Sequence, residues 1–309
     1  MGVLPVIWAW VKEEVIAADI KRTAVTNRIK SPGTLAIPYF PSLNENLQLM
    51  YNKNMAFVIA LAGKGGTGKT TLAGLTIRYI IEKKRMPVLA VDADSNNCLN
   101  DALGVDVHAT IGKLREESLQ VIRSGADRPG GMSMEQLFDY QVQQSLIESK
   151  GFDLMVMGRP EGPGCYCAAN NIIRKYTDKL SETYPYVVID NEAGMEHLSR
   201  RTTHKVDILL IVSDPSIRGI ETAKRINGLV DELQLEIDRC AVIINRVSGD
   251  EGTELRRLAE KSGMKIAGII PQDTEITNFD LKGKPVFQLP DDSRALEALY
   301  DILDTLDIP

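Results

Sequence analysis

The strongest constraint on this chain is a set of seven short, unbroken apolar runs, at residues 57–61, 88–91, 154–157, 187–189, 208–212, 241–244 and 266–270, with helix-like stretches between them. An apolar run that does not alternate with polar residues has both faces buried, the condition of a strand in a parallel sheet covered by helices on each side. The pattern predicts an α/β fold built on a doubly wound, mostly parallel sheet. Helices are expected over 70–84, 170–182, 217–233, 251–262 and 293–306. The longer connection 114–149 reads as helical, broken at Asp127-Arg128-Pro129-Gly130-Gly131.

This register starts only at Met55. Residues 1–54 hold no period and contain Pro32, Pro38 and Pro41, so they read as an N-terminal extension or an upstream start, with a single domain over 55–309. The apolar run 3–11 lacks a basic flank and is followed by Lys12, Glu13 and Glu14, so neither a signal peptide nor a spanning helix is expected. Lys plus Arg number 36 against 42 Asp plus Glu, a net charge of −6, and no bulk field draws the chain to nucleic acid or an anionic membrane. The four cysteines, Cys98, Cys165, Cys167 and Cys240, include one close pair. That usage suits thiolate chemistry in a reducing cytoplasm rather than a disulfide framework.

Gly63-Lys64-Gly65-Gly66-Thr67-Gly68-Lys69-Thr70 fits G-x-x-x-x-G-K-[ST] and sits between a strand and a helix, where phosphate binding requires it. Glycines let backbone N–H groups approach a phosphate, and the helix start adds a positive dipole end. The chain is therefore expected to be a P-loop NTPase that binds ATP and Mg²⁺ through this loop and Thr71, with Lys69 on the β- and γ-phosphates and the Thr70 hydroxyl on the cation. Asp92 and Asp94 close the second run; at i, i+2 in a strand end they are expected to have separate jobs. Val187-Val188-Ile189-Asp190 is an apolar strand ending in the carboxylate that holds Mg²⁺ through water.

The string KGGTGK resembles the deviant Walker A motif of the MinD/ParA/nitrogenase iron-protein class of P-loop ATPases. The resemblance implies that Lys64 reaches across a homodimer interface to the partner's nucleotide. It further implies that Asp94 orients the attacking water and that Asp92 supports the Mg²⁺ region, Ser95 standing where many relatives have Pro. By the same resemblance 191–196 is a γ-phosphate-sensing switch, and Asn245-Arg246 with Pro271-Gln272-Asp273 are adenine-binding loops, Asn245 on the base.

Cys165 and Cys167 lie in Gly158-Arg159-Pro160-Glu161-Gly162-Pro163-Gly164-Cys165-Tyr166-Cys167-Ala168-Ala169-Asn170-Asn171, between a strand and a helix. A thiol at a helix N-terminus has a lowered pKa, which favours a metal-binding thiolate. One C-x-C supplies two sulfurs where a closed Zn²⁺ site wants four ligands, so a two-fold dimer would be needed to assemble Cys₄; a pair of inert or redox cysteines is the plainer alternative. The stretch GRPEGPGCYCAANN, with DNEAGMEHLSRR downstream and the phosphate loop upstream, resembles the CooC family of nickel-insertion ATPases, including the AcsF relatives, over residues 55–309. That resemblance implies Ni²⁺ or Zn²⁺ shared between two chains, and carbon monoxide dehydrogenase or acetyl-CoA synthase as the client. Cys98, Cys240, His108, His197 and His204 receive no metal role.

Two other readings stand beside it. A nitrogenase iron-protein-like electron carrier would need a second cysteine after the 191–196 switch, and none occurs from Asp190 to Val212. A MinD/ParA-type positioning ATPase would need a basic membrane helix or a basic DNA patch. The C-terminus instead carries Asp291, Asp292, Glu297, Asp301, Asp304 and Asp307 against Arg294, and the best basic run, Arg200-Arg201 with His204-Lys205, is short.

Overall fold

Seven parallel strands and one antiparallel edge strand form a single sheet in the computed structural model, which describes residues 56–124, 131–159, 165–193, 205–232, 235–249 and 251–309. The extension 1–54, the switch residues Gly194, Met195 and Glu196, and the His197 to His204 stretch with Arg200 and Arg201 lie outside the described residues. The strands are β1 (Phe57–Gly63), β2 (Val88–Ala93), β3 (Ile147–Ser149), β4 (Phe152–Val156), β5 (Tyr186–Asn191), β6 (Lys205–Ser213), β7 (Glu236–Val247) and β8 (Ile266–Pro271). Their order across the sheet is β3-β4-β2-β5-β1-β6-β7-β8. Every expected apolar run is one of these strands. The one strand not expected, β3, is Ile147-Glu148-Ser149, which is partly exposed and pairs antiparallel with β4 at the edge, so it carries no apolar run.

The helices are α1 (Lys69–Tyr79, continued by a π-turn over Ile80–Lys84), α2 (Leu99–Leu103), α3 (Ile111–Ser124), α4 (Met134–Ser145), α5 (Cys165–Ser181), α6 (Ile217–Glu232), α7 (Glu251–Lys261), α8 (Thr274–Leu281) and α9 (Arg294–Thr305). The break expected within 114–149 is the gap between α3 and α4, and α4 restarts on a Ser133 capping box closed by Gln136. Adjacent residues of each strand serve opposite faces. Ile59, Leu61, Val188 and Leu210 pack with Leu72 and Leu75 of α1, Leu99 of α2 and Leu299 of α9, whereas Ala60, Ile189, Leu209 and Ile211 pack with Ile111 of α3, Ile173 of α5 and Ile226 of α6. Burial on both faces is what wrote the unbroken apolar runs into the sequence.

The winding places the site. From β1 the chain passes over β5 to reach β2, and later returns past β1 to lay down β6, so the direction reverses around β1 and opens a crevice at the carboxyl ends of the central strands. In that register Asp190 stands beside Leu61 on one side and Asp92 on the other.

The C-terminal helix α9 is a structural cover. Ser293 caps it, and Asp273 holds α8 and α9 together by accepting from Ser293 Oγ at 2.7 Å, Ala295 N at 3.1 Å and Glu275 N at 2.8 Å. Leu296, Leu299 and Leu303 are buried against the sheet and α1, and each stabilises the fold by about 1.5–3 kcal/mol. The apolar face of this helix is thus spent on the core. Among the described residues no helix is long and apolar enough to cross a membrane.

Candidate functional site at the carboxyl ends of β1, β2 and β5

The loop between β1 and α1 closes on its own backbone. The Lys64 carbonyl accepts from Thr67 Oγ1 at 2.9 Å and from Lys69 Nζ at 3.3 Å. Lys69 is 7% exposed, and burial lowers its pKa, while Asp190, Asp94 and Glu192 act in the opposite direction. Its ammonium therefore faces an acidic crevice with little water to screen it. The Lys64 side chain, by contrast, is exposed and makes no hydrogen bond or ion pair among the described residues. Gly68 has φ +93°, and a Cβ there would meet Asn245 Nδ2 at 2.5 Å, so both the conformation and the space demand glycine.

The acids divide as their spacing suggested, but with one change of role. Asp190 is buried, and burial pushes its pKa up to about 6, with a Thr70 hydrogen bond and the Lys69 charge pulling it down. Asp92 is fully buried and pushed up to about 7, again mainly by burial. Both of its carboxylate oxygens are occupied: Oδ1 accepts from Asp94 N at 3.0 Å and Oδ2 from Leu99 N at 3.0 Å. Asp92, expected to support the Mg²⁺ region, anchors the loop after β2 and the start of α2. Asp94 is partly exposed, and its Oδ1 accepts from Asn96 N at 2.8 Å and Asn96 Nδ2 at 3.1 Å.

The expected base-binding residues are placed against the phosphate loop. Asn245 is buried and donates from Nδ2 to the Thr67 carbonyl at 2.8 Å, while its Oδ1 accepts from Arg246 N at 3.0 Å. Arg246, at φ +62°, donates from Nη1 to the Gly66 carbonyl at 2.9 Å. These two side chains brace the loop from β7. Pro271 ends β8 beside Val247, and the Asp273 that follows it is committed to the α8–α9 junction.

The cysteine segment leaves the same end of the sheet. Val156 of β4 pairs with Asp92 of β2, and Met157 N donates to the Asp92 carbonyl at 2.8 Å. Gly158 has φ +69°, and a Cβ there would lie 2.3 Å from Thr110 Oγ1, which fixes the departure point of the segment beside α3. Helix α5 then begins at Cys165, five residues before the expected start at Asn170; the side chains of Cys165 and Cys167 lie outside the described residues. Among the described residues no three His, Cys, Asp or Glu side chains converge on a metal position. Cys98 is exposed, and burial keeps the Cys240 thiol up at about 11.

Residues 58–286 match the family described as CobQ/CobB/MinD/ParA nucleotide binding domain. The chain belongs to this family. It is 40% identical over 249 residues to an uncharacterized ATP-binding protein of Methanocaldococcus jannaschii, covering 81% of this chain and 98% of that one. It is 31% identical over 241 residues to the carbon monoxide dehydrogenase accessory protein CooC of Rhodospirillum rubrum, covering 75% of this chain and 89% of that one. Its fold is that of a ParA family ATPase from Chlorobium tepidum, with a TM-score of 0.59 at 21% identity, over 81% of this chain and 98% of that one.

For this CobQ/CobB/MinD/ParA chain, the crevice fits a nucleotide with Mg²⁺. Asp190 Oδ1 is buried and has no hydrogen-bond partner among the described residues, while Thr70 bonds the same carboxylate. A buried oxygen left unpaired is costly, and a hydrated hard cation beside Thr70 would satisfy it. Lys69 at the helix start places a positive charge at the same crevice. Two residues that the sequence had named only as part of the 191–196 switch and as a departure from Pro also face this crevice: Glu192, whose charge acts on Lys69, and Ser95, whose hydroxyl donates to Glu192. Their signal was position: each lies just past the end of a strand that carries a site aspartate.

The Asp92 assignment has a direct consequence. Asp92→Asn puts an NH₂ against one of two backbone N–H groups, and leaving a buried donor unsatisfied costs about 1–3 kcal/mol. Urea unfolding is expected to show that loss, whereas unchanged stability would mean that the loop does not depend on Asp92.

Proposed function

We propose that the chain is an ATPase that couples ATP-driven closure of a homodimer to holding nickel for delivery to a metalloenzyme, carbon monoxide dehydrogenase or acetyl-CoA synthase. The observation that carries this reading is the C-x-C pair at the first turn of α5, on a segment whose origin is tied to Asp92, the residue that anchors the loop bearing Asp94. A change in that loop on nucleotide binding thus has a short covalent and hydrogen-bonded route to the cysteines. The likeness to CooC supports the same direction.

In the proposed cycle, Lys69 and the loop amides bind the phosphates, Thr70 and Asp190 hold Mg²⁺, and Asp94 orients water once the loop closes. The cation would neutralise charge developing on the phosphate oxygens. Lys64, exposed and uncommitted to its own chain among the described residues, would complete the partner's site. Nickel is the cargo: Cys165 and Cys167 from each of two chains would supply four soft donors. The burial of α9 disfavours the MinD-type membrane reading, because its apolar face is already packed.

The coupling is tested by measuring nickel affinity with and without ATP for wild type and Lys64→Ala. ATP is expected to change the wild-type affinity and to leave that of Lys64→Ala unmoved, with dimerisation on ATP lost in the same variant. Full ATP-induced dimerisation of Lys64→Ala would remove the cross-interface role and with it the proposed coupling.

A further inference from the structure

We propose that Ser95 and Glu192 form a latch that joins the loop after β2 to the loop after β5, making them positioning residues for ATP hydrolysis; the role in hydrolysis rests on the ATPase reading above. The ladder between these strands runs through Asp92 opposite Asp190 and ends at Ala93 opposite Asn191. The next tie across the gap is made by side chains. Ser95 Oγ donates to Glu192 Oε1 at 3.4 Å, between residues 97 apart in the chain.

What this tie holds is the water-orienting loop. Asp92 clamps that loop to β2 at both ends, through the amides of Asp94 and Leu99. Between those clamps the Asp94 carboxylate accepts from Asn96 and the Asp94 carbonyl from Asn97 N, and Asn97 turns the chain at φ +49°. The Ser95 hydroxyl thus ties the outer part of this loop to the residue that follows the Asp190 strand. Glu192 also places a negative charge where Lys69 senses it. The latch aligns Asp94 with the Asp190 side of the crevice. It acts on the reacting geometry and not on nucleotide affinity, a distinction that separates kcat from KM. A serine is required for this, since proline at the same position has no hydroxyl to donate.

The test is a double-mutant cycle on the full chain, read in two ways. Hydrogen exchange of amides 94–99 is measured without nucleotide for wild type, Ser95→Ala, Glu192→Ala, Glu192→Gln and the double Ala variant, and steady-state ATP turnover is measured for the same set with Ser95→Thr. Each Ala variant is expected to raise exchange by about threefold to tenfold, the worth of one hydrogen bond, and the double variant no further than either single. Glu192→Gln retains an acceptor and is expected to keep the loop protected. Turnover is expected to show a kcat loss of the same size for Ser95→Ala at an unchanged KM for ATP, with partial recovery in Ser95→Thr. Unchanged exchange in Ser95→Ala, or additive effects in the double variant, would overturn the latch. Coupled exchange in a wild-type chain that hydrolyses no ATP would uphold the latch and refute the ATPase reading instead.

Discussion

Lys69→Ala is expected to reduce ATP turnover by about 100- to 1000-fold or more, the scale on which removal of a single preorganised charge-stabilising donor is felt. The lysine is buried at the start of α1, its Nζ 3.3 Å from the Lys64 carbonyl, and it faces Asp190, Asp94 and Glu192. A buried ammonium in such a place costs stability unless it has anionic work to do, and the phosphates of a nucleotide are the charge that fits. Removing it also leaves the acids without their cation, so Asp190 is expected to titrate still higher than in the wild type. Phosphate release measured at saturating ATP checks the result, with the circular dichroism spectrum confirming that the variant is folded. Turnover within tenfold of wild type would show that the phosphates do not rest on Lys69.

The sheet was legible because burial on both faces leaves an unambiguous mark. Val187, Val188 and Ile189 face alternate sides, yet all are fully buried, so no polar residue interrupts them. The edge strand Ile147–Ser149 has no such mark, since its stability comes from pairing with β4 and not from two covered faces. The short helix Leu99–Leu103 was equally silent; it is held by the Asp92 carboxylate at its start and by Gly104 at its end, a tertiary capping arrangement that no periodicity reveals.

At the site, the local motifs were legible in the sequence and the hydrogen bonds of Asp92 and Asn245 were not. Lys69, Thr70 and Asp190 converge because the loop, the helix start and the strand end are each fixed locally. Asp92 was expected to support the Mg²⁺ region, and its side chain accepts from the amides of Asp94 and Leu99 in its own loop. Asn245 was expected on a base, and its amide is found bracing the Thr67 carbonyl. Asn245 and Thr67 meet only after the sheet has formed, and Asp92 reaches amides two and seven residues onward through a turn that spacing does not show.

Replacing Cys165 or Cys167 by Ala is expected to abolish tight nickel binding and to leave the nucleotide site formed. Each replacement removes half of one chain's soft donors, and the sulfurs of two chains are needed to complete the ligand set. The phosphate loop is untouched because it lies on the β1–α1 connection, whereas the cysteines follow β4. Thiolates must lose protons to bind metal, so affinity is also expected to fall as the pH drops. The decisive measurement is an equilibrium nickel titration combined with sedimentation on the wild-type chain and the two cysteine variants. The account predicts one tightly bound nickel per two chains, bound by a dimer and lost in both variants; one nickel per single chain, or binding unchanged when both cysteines are replaced, would contradict it.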